Sequence, residues 1–336
     1  MTQKEIAKIL GISRSTVSLA LNNYPKINKE TREKILKVAK LLNYRPNVIA
    51  QNLVRGKTST IGLMQPFPFS PFFVELTGRI HQLLRKKNYV CVSIDVGAER
   101  EFDEAMEIFL SRRVDGLICL ISFLGAEDIL RIKNENLRVV FYHENFEYPA
   151  DIVAVNAYKA GSMTVEHLIG LGHKKIGYIG KGIDESTDRR YAGFKDTIIR
   201  NNLHFNNKWI ITGYGSFQTG FHGMRKLLSL KDRPTAIIAH NDVVAIGAVS
   251  AVYQAGLKVP QDIAIVGFDN IENSRYLNVP LTTVEFPIEK IAKELVEILF
   301  QKIEYNKDNE KYRKFIFEPR LIIRESCGYH LVKGSA

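Results

Sequence analysis

The stretch Thr2-Gln-Lys-Glu-Ile-Ala-Lys-Ile-Leu-Gly-Ile-Ser-Arg-Ser-Thr-Val-Ser-Leu-Ala-Leu-Asn22 decides how the rest of the chain is read. Ile6, Ala7 and Leu10 recur at helical spacing, as do Val17, Ala20 and Leu21, so two short amphipathic helices are expected. Gly11-Ile12-Ser13 stands between them. A glycine there can take the positive φ that ends one helix, and Ser13 can cap the next. Thr2 and Glu5 have the spacing of a capping box. Ala7 is small where the two helices must approach closely. The pattern fits a helix-turn-helix whose second helix exposes Arg14, Ser15 and Ser18, short or forked donors suited to base edges and phosphates. On these residues alone an ordinary helical hairpin in a core fits as well.

The charge distribution separates the two readings. Residues 1–57 hold 12 Lys+Arg against 3 Asp+Glu, a net of +9, while the whole chain is +11. The remaining 279 residues therefore supply only +2. Positive charge this dense repels itself unless a polyanion neutralises it, which together with the helix-turn-helix argues for duplex DNA over a merely solvated face. The segment has no aromatic stacking platform of the kind RNA recognition uses.

A third helix is expected over Thr31–Leu42, after Asn28 as cap, with Ile35, Val38, Ala39 and Leu42 on one face. It ends at Asn43-Tyr-Arg-Pro46, because proline disfavours helix in the residue before it. Then comes Asn47-Val-Ile-Ala-Gln-Asn-Leu-Val-Arg-Gly-Lys57, about one turn of helix and a glycine stop, too short to hold itself in water.

Thr16-Val-Ser18, Leu21-Asn22, Lys29-Glu-Thr-Arg-Glu-Lys-Ile35 and Asn43-Tyr-Arg-Pro-Asn-Val-Ile-Ala-Gln-Asn-Leu53 resemble the lactose-repressor/galactose-repressor family of bacterial transcription factors. The resemblance implies a DNA-binding head over 1–45 and a hinge helix and linker over 46–57. That hinge is ordered when two subunits meet over the minor groove, with Leu53 wedged into the central base step. It places Arg14, Ser15 and Leu19 on bases, Ser13, Thr16 and Asn22 on phosphates, and Asn47 and Ala50 beside Leu53 on the hinge's DNA face. Leu19 departs from the family, which usually has a polar or cationic residue there.

Downstream of Lys57, apolar strands alternate with amphipathic helices. Thr58–Gln65, Tyr89–Ile94, Val114–Ile121 and Arg138–His143 read as strands, with helices over Pro71–Lys87, Glu101–Ser111 and Glu127–Glu135. The pattern restarts after Asn156. Helices are expected over Ala157–Gly170, Asp188–Asn201, Gln218–Ser229 and Asp242–Ala255, and strands at Ile176–Gly180, Trp209–Thr212, Ala236–His240 and Ile263–Phe268. Ile288–Gln301 reads as helix and Lys314–Ile323 as strand-like. Such alternation means parallel sheets covered on both faces. Two α/β units of this kind face each other across a cleft near the carboxyl ends of their strands.

The resemblance runs through this region too, in Ser70-Pro-Phe-Phe73, Glu166–Ile176, Arg190-Tyr-Ala-Gly-Phe194, Asn241-Asp242, Val259-Pro-Gln-Asp-Ile263, Val266-Gly-Phe-Asp269 and Pro280–Val284. It implies a periplasmic-binding-protein-like core of two doubly wound parallel-sheet subdomains, 58–156 with 285–316 and 157–284 with 317–330. The effector positions it implies are Phe72 as a stacking face, Arg190 and Asn241 as donors and Asp269 as hydroxyl acceptor. Phe67, Ser70, Tyr142, His143 and Phe217 map near the cleft. From the residues alone, Arg190 reads sooner as a surface ion pair and Asp269 as a turn former, and Phe72 and Phe217 read nearly as well as core. Ser70, Phe67, Val155 and Phe286 replace residues that are commonly polar, so a more aromatic pocket is expected.

Hydrophobic content of 45% and charge of 25% are those of a soluble globular chain, and no apolar run reaches membrane-spanning length. The polar start is not a signal peptide, so the cytoplasm is expected. Cys91, Cys119 and Cys327 have no metal spacing and suggest reduced, buried thiols. His143, His167 and His173 share no Ser/His/Asp order or metal spacing, and Gly177-Tyr-Ile-Gly180-Lys-Gly182 fits a dinucleotide loop only loosely, so neither catalysis nor a cofactor is expected. The reading is a homodimeric regulator, probing double-stranded operator DNA and a small carbohydrate effector, most simply a repressor of carbohydrate-utilisation genes. No leucine-heptad tail suggests a tetramer. The alternative is a catabolite-control protein answering a phosphorylated carrier protein. The acidic residues Glu289, Glu294 and Glu297 on the helix that would receive it count against that alternative.

Overall fold

The computed structural model describes residues 2–21, 24–44, 57–66, 70–97, 99–121, 124–135, 137–143, 149–181, 188–305 and 312–333. They fall into two compact units, Met1–Thr58 and Ser59–Ala336.

The first unit has three helices, α1 (Gln3–Leu10), α2 (Arg14–Leu21) and α3 (Lys29–Leu41). Each start is fixed by a side chain that satisfies an orphan backbone donor. Thr2 N–H donates to the Glu5 carboxylate at 2.7 Å while Glu5 N–H donates to the Thr2 hydroxyl, which closes the capping box. Gly11 ends α1 at φ 65°, a left-handed conformation that costs glycine least. Thr16 N–H donates to Ser13 Oγ at 3.0 Å, and Glu30 N–H to Asn28 Oδ1 at 2.7 Å. Ile6, Ala7, Val17, Ala20, Ile35 and Ala39 form a small closed core. The third helix begins two residues before the expected Thr31, at the residue its Asn28 cap selects. The hinge expected over 46–57 lies outside the described residues except for Lys57.

The second unit contains two six-stranded sheets. The first is built from β1 (Thr60–Pro66), β2 (Val90–Val96), β3 (Gly116–Cys119), β4 (Val139–Tyr142) and β5 (Ile152–Val155), with helices α4 (Pro71–Lys86), α5 (Glu99–Ser111) and α6 (Ala126–Asn134) between them. The chain then enters the second sheet through α7 (Ala157–Gly170). There β6 (Ile176–Gly180), β7 (Ile210–Thr212), β8 (Ala236–Ala239), β9 (Ala264–Phe268) and β10 (Thr282–Glu285) alternate with α8 (Arg189–Arg200), α9 (Phe217–Leu228) and α10 (Asp242–Gln254). After β10 the chain returns as α11 (Ile288–Tyr305), which packs on α4 and on the first sheet. β11 (Lys314–Phe317) adds to that sheet beside β5, β12 (Arg320–Ile322) adds to the second sheet, and α12 (Tyr329–Lys333) follows. The orders are β11-β5-β4-β3-β1-β2 and β12-β10-β9-β8-β6-β7. All pairs are parallel except β10 with β12, so the second sheet carries one antiparallel edge strand.

Three sequence expectations need correction. Lys314–Ile323 is not one strand-like run but two strands on different sheets, parted at Glu318-Pro319, where proline has no N–H to give a ladder. Trp209 does not open β7. It closes a 3₁₀ turn over Asn207–Trp209 with its indole buried, where Nε1–H donates to Asp232 O at 2.9 Å. Cys119 and Cys327 are buried, but Cys91 is only half-buried, because β2 is an edge strand.

In the second sheet's layer, two helix pairs touch backbone to backbone. A Cβ on Gly161 of α7 would stand 2.1 Å from the Arg190 carbonyl oxygen of α8, and one on Gly193 of α8 would stand 2.0 Å from the Tyr158 oxygen of α7. Gly220 of α9 and Gly247 of α10 meet the Val244 and Phe217 carbonyls in the same reciprocal way. Only a missing side chain permits that approach, and the opposing atoms are backbone that cannot rotate aside. Gly161→Ala is therefore expected to force α7 and α8 apart and to destabilise by about 1–3 kcal/mol. Thermal denaturation checks this; an unchanged melting temperature would show that the helices can part freely.

Candidate functional site

Two groups of residues emerge, one in each compact unit. In the first, Val17 and Ala20 turn α2's apolar face into the core, which leaves Arg14, Ser15 and Leu19 exposed on the other. Ser13, also exposed, lies at the head of the helix. Its Oγ is 2.6 Å from Ser15 Oγ and 2.8 Å from Thr16 Oγ1, so three hydroxyls cluster where helix N–H groups point outward. Ser18 is half-buried. Asn22, Asn47, Ala50 and Leu53 lie outside the described residues.

The second group sits at the carboxyl ends of the two sheets. The Arg190 guanidinium lies between two rings, 5.2 Å from the centroid of Phe268 and 5.2 Å from that of Phe286. Its Nη1 donates to His240 O at 2.6 Å and its Nη2 reaches Asp269 Oδ1 at 3.5 Å. Both side chains are buried, so the pair is shielded from solvent. Phe286 in turn stands 6.2 Å from Phe72, edge to face, and Phe72 is 6.0 Å from Tyr142. Rings from the first sheet's layer thus continue into the Arg190 clamp of the second. His143 is buried beside Tyr142 and its N–H donates to Val153 O at 3.2 Å. Ser70 occupies the N-cap position of α4 without a side-chain cap bond. Asn241 caps α10, accepting from Val244 N–H at 2.8 Å, while its amide nitrogen is 3.5 Å from Gly215 O. Asp269 is held at φ 97°, and its N–H donates to Val284 O at 2.8 Å. Phe67 lies outside the described residues.

Behind these side chains lies a buried polar layer. The Tyr178 hydroxyl donates to Asp188 Oδ2 at 2.8 Å, and His240 Nδ1 is 3.2 Å from the same oxygen. Tyr191 N–H donates to Asp188 Oδ1 at 3.1 Å. Burial alone would raise the Asp188 pKa, but the adjoining His240 ring, the Tyr191 amide and the Arg190 charge outweigh it and bring it down to about 2. Asp242 goes the other way. Burial pushes its carboxyl well above the usual range, although Thr283 Oγ1–H and Ile271 N–H both donate to it, at 2.6 and 2.9 Å.

Residues 2–47 match the lacI family of bacterial regulatory proteins, and residues 165–327 match a periplasmic binding protein-like domain. A ribose operon repressor of Haemophilus influenzae is 32% identical over 97% of this chain and 98% of its own. The chain belongs to the lacI family. An HTH-type transcriptional repressor PurR of Aliivibrio fischeri is 33% identical over 98% of this chain and 99% of its own. A lac repressor dimer bound to operator and the anti-inducer ONPF superposes with a TM-score of 0.88 at 26% identity, covering 97% of this chain and 99% of that one. This lacI-family chain thus has the helix-turn-helix head and the two-sheet core its sequence suggested.

Of the effector positions read from the sequence, the structure brings Phe72, Tyr142, Arg190 and Asp269 into one linked cluster, through Phe286. Phe286 was read only as a departure, yet it is the ring that joins the two layers. Phe217 is exposed at the first position of α9 and is not one of these rings. The Phe72 ring is buried in the core, so it serves packing as well as any ligand. Asp188 and His240 were missed as a pair, since 52 residues separate them. Asp188 was read only as the first residue of the helix expected over Asp188–Asn201. The helical glycines did leave a signal: a glycine inside an amphipathic run usually has a packing reason.

On the first sheet's layer, Arg79 Nη2 is 3.1 Å from Glu289 Oε1 at the head of α11, and Lys293 pairs with Glu297 further along. The helix expected to meet a phosphoprotein thus carries exposed ion pairs of mixed sign.

Because the Asp188 pKa falls from 3.8 unfolded to about 2 folded, its ionised form stabilises the fold above pH 4 and that contribution drains away as pH drops toward 2. Its size is about 2 kcal/mol. Asp188→Asn keeps the cap and the volume but removes the charge. Its urea stability should sit below wild type at pH 7, with the gap narrowing by pH 2 to 3; a gap independent of pH would contradict the ionic role.

Proposed function

We propose that this chain is a sequence-specific DNA-binding transcriptional regulator, a repressor of carbohydrate-utilisation genes whose operator affinity answers to a small sugar or sugar-derived effector in the cleft between the two sheets. The observation that carries the reading is the Arg190–Asp269 pair, a forked cation and a carboxylate buried under aromatic rings at the strand ends of a chain that also bears a helix-turn-helix. Fixed forks of this kind give paired hydrogen bonds to sugar hydroxyls, and a ring offers the sugar its face. Similarity to a ribose operon repressor over nearly the whole chain supports a sugar among small effectors.

On this reading Ser13, Arg14, Ser15, Thr16, Ser18, Leu19 and Asn22 meet the major groove and its phosphates, and Asn47, Ala50 and Leu53 belong to a hinge that orders on DNA. Phe67, Ser70, Phe72, Tyr142, His143, Arg190, Phe217, Asn241 and Asp269 surround the effector. The functional division is 1–45 for reading, 46–57 for the hinge, and two subdomains, 58–156 with 285–316 and 157–284 with 317–330. Two copies pair on a two-fold operator. The protein catalyses no reaction and works in the cytoplasm, where its DNA is. No described helix is long and apolar enough to cross a membrane. The acid-bearing α11 face supports a free sugar over a phosphorylated carrier protein as the signal.

A thermal-shift screen of pentoses, hexoses and their phosphates tests the effector reading, since a ligand that binds only the folded state raises the melting temperature. A sugar at 100 times its Kd adds about 2.7 kcal/mol of stability. Asp269→Ala should abolish the shift while operator binding without sugar persists. If no sugar shifts the wild type and a phosphorylated carrier protein does, the effector reading fails.

A further inference from the structure

Leu19 stands out on the reading helix. α2 runs Arg-Ser-Thr-Val-Ser-Leu-Ala-Leu, and its single charge is Arg14 at the first position. Ser15 and Ser18 are short and hydroxylic. Val17 and Ala20 are buried, which orients the helix, and Leu19 is left 38% exposed on the outer side. Its own carbonyl accepts from Tyr24 N–H at 2.9 Å, which ties down the backbone from which the side chain projects. Ser15 Oγ is already engaged at 2.6 Å with Ser13 Oγ, at the other end of α2. The outer face is therefore polar at its start and apolar five residues later. Five residues rise about 7.5 Å, roughly two base-pair steps of ~3.4 Å.

We propose that Leu19 reads thymine: in each operator half-site an A·T pair lies with its thymine C5-methyl against the Leu19 side chain, some two steps from the pair that Arg14 contacts. This rests on the DNA-binding reading above and deepens it. In the major groove every base presents donors or acceptors, but only thymine adds a methyl group. Leu19 can offer neither donor nor acceptor. Set against guanine O6 and N7, or the cytosine amino group, it would strip water from a polar edge and return nothing. Set against the thymine methyl, both apolar groups leave water together. The preference is thus for one base through one methyl.

That methyl can be removed without touching the protein. The intact chain is used to enrich an operator from random duplexes, and each thymidine of the enriched site is then replaced singly by deoxyuridine, which differs only by the methyl. Fluorescence anisotropy at fixed salt measures each affinity. One thymine per half-site should cost about threefold to fourfold on replacement, the worth of one buried methyl. In Leu19→Ala the thymidine and deoxyuridine duplexes should bind alike, and in Leu19→Met, which keeps an apolar contact, the difference should return. Leu19 is an exposed helix residue, so circular dichroism should show both variants folded. A site with no methyl-sensitive thymine, or a deoxyuridine penalty unchanged in Leu19→Ala, overturns the proposal. If the wild-type chain enriches no sequence at all, the DNA-binding reading falls and takes this inference with it.

Discussion

The Arg190 guanidinium is the interaction on which the core depends. A buried cation is costly unless every direction it faces returns something. Here the Phe268 and Phe286 ring centroids each lie 5.2 Å from the guanidinium carbon, Nη1 donates to the His240 carbonyl, and Nη2 approaches Asp269. None of these partners is held by chance. Gly161 lets the Arg190 backbone lie against α7. Asp188 caps α8 one residue before its start and ties His240 to Tyr178. Asp242 fixes the Ile271 amide and the Thr283 hydroxyl, so the chain leaving β9 past Asp269 is bound to β10. Arg324 closes the same corner, its Nη2 donating to Asn270 Oδ1 at 2.6 Å. The common physical theme is a polar shelf, tied from behind by Asp188 and Asp242, that presents one cation and one carboxylate forward.

Phe286 makes that shelf responsive to the other sheet. It belongs to the segment leaving β10, where the chain returns to the first sheet's layer, and it touches both the Arg190 clamp and Phe72. On the proposed reading, a ligand engaging Arg190 and Asp269 would lie beside this shared ring. Packed aromatic interfaces tend to switch between discrete arrangements and not to deform continuously.

Local signals were legible wherever a few neighbouring residues decide the structure. Thr2 with Glu5, Gly11, Ser13 and Asn28 wrote the caps of the head, and the structure uses each of them. Continuous apolar runs such as Ile176–Gly180 and Ala236–Ala239 announced buried parallel strands. What was not legible depends on partners far apart in sequence. Lys314–Ile323 looks uniform because nothing local says that β11 and β12 join different sheets; only Pro319 hints at the break. Trp209 looks like a strand residue until its indole finds the Asp232 carbonyl. The Asp188–His240 link spans 52 residues and cannot be seen from either end. In the site, Arg190 and Asp269 were reached through family resemblance, since each alone reads as an ordinary surface or turn residue.

The proposed mechanism makes two separate electrostatic tasks communicate. The head gathers a net +9 within 57 residues to meet phosphates, while in the core the Arg190–Asp269 pair is buried. Communication between them is a coupling free energy, on the order of 1–3 kcal/mol, and it must be reciprocal. The most direct measurement is the complete thermodynamic cycle on the intact chain: operator Kd with and without saturating sugar, and sugar Kd with and without saturating operator. The account predicts that the two ratios are equal and differ from one by about fivefold to 150-fold. An operator Kd that does not move when the cleft is filled would contradict it.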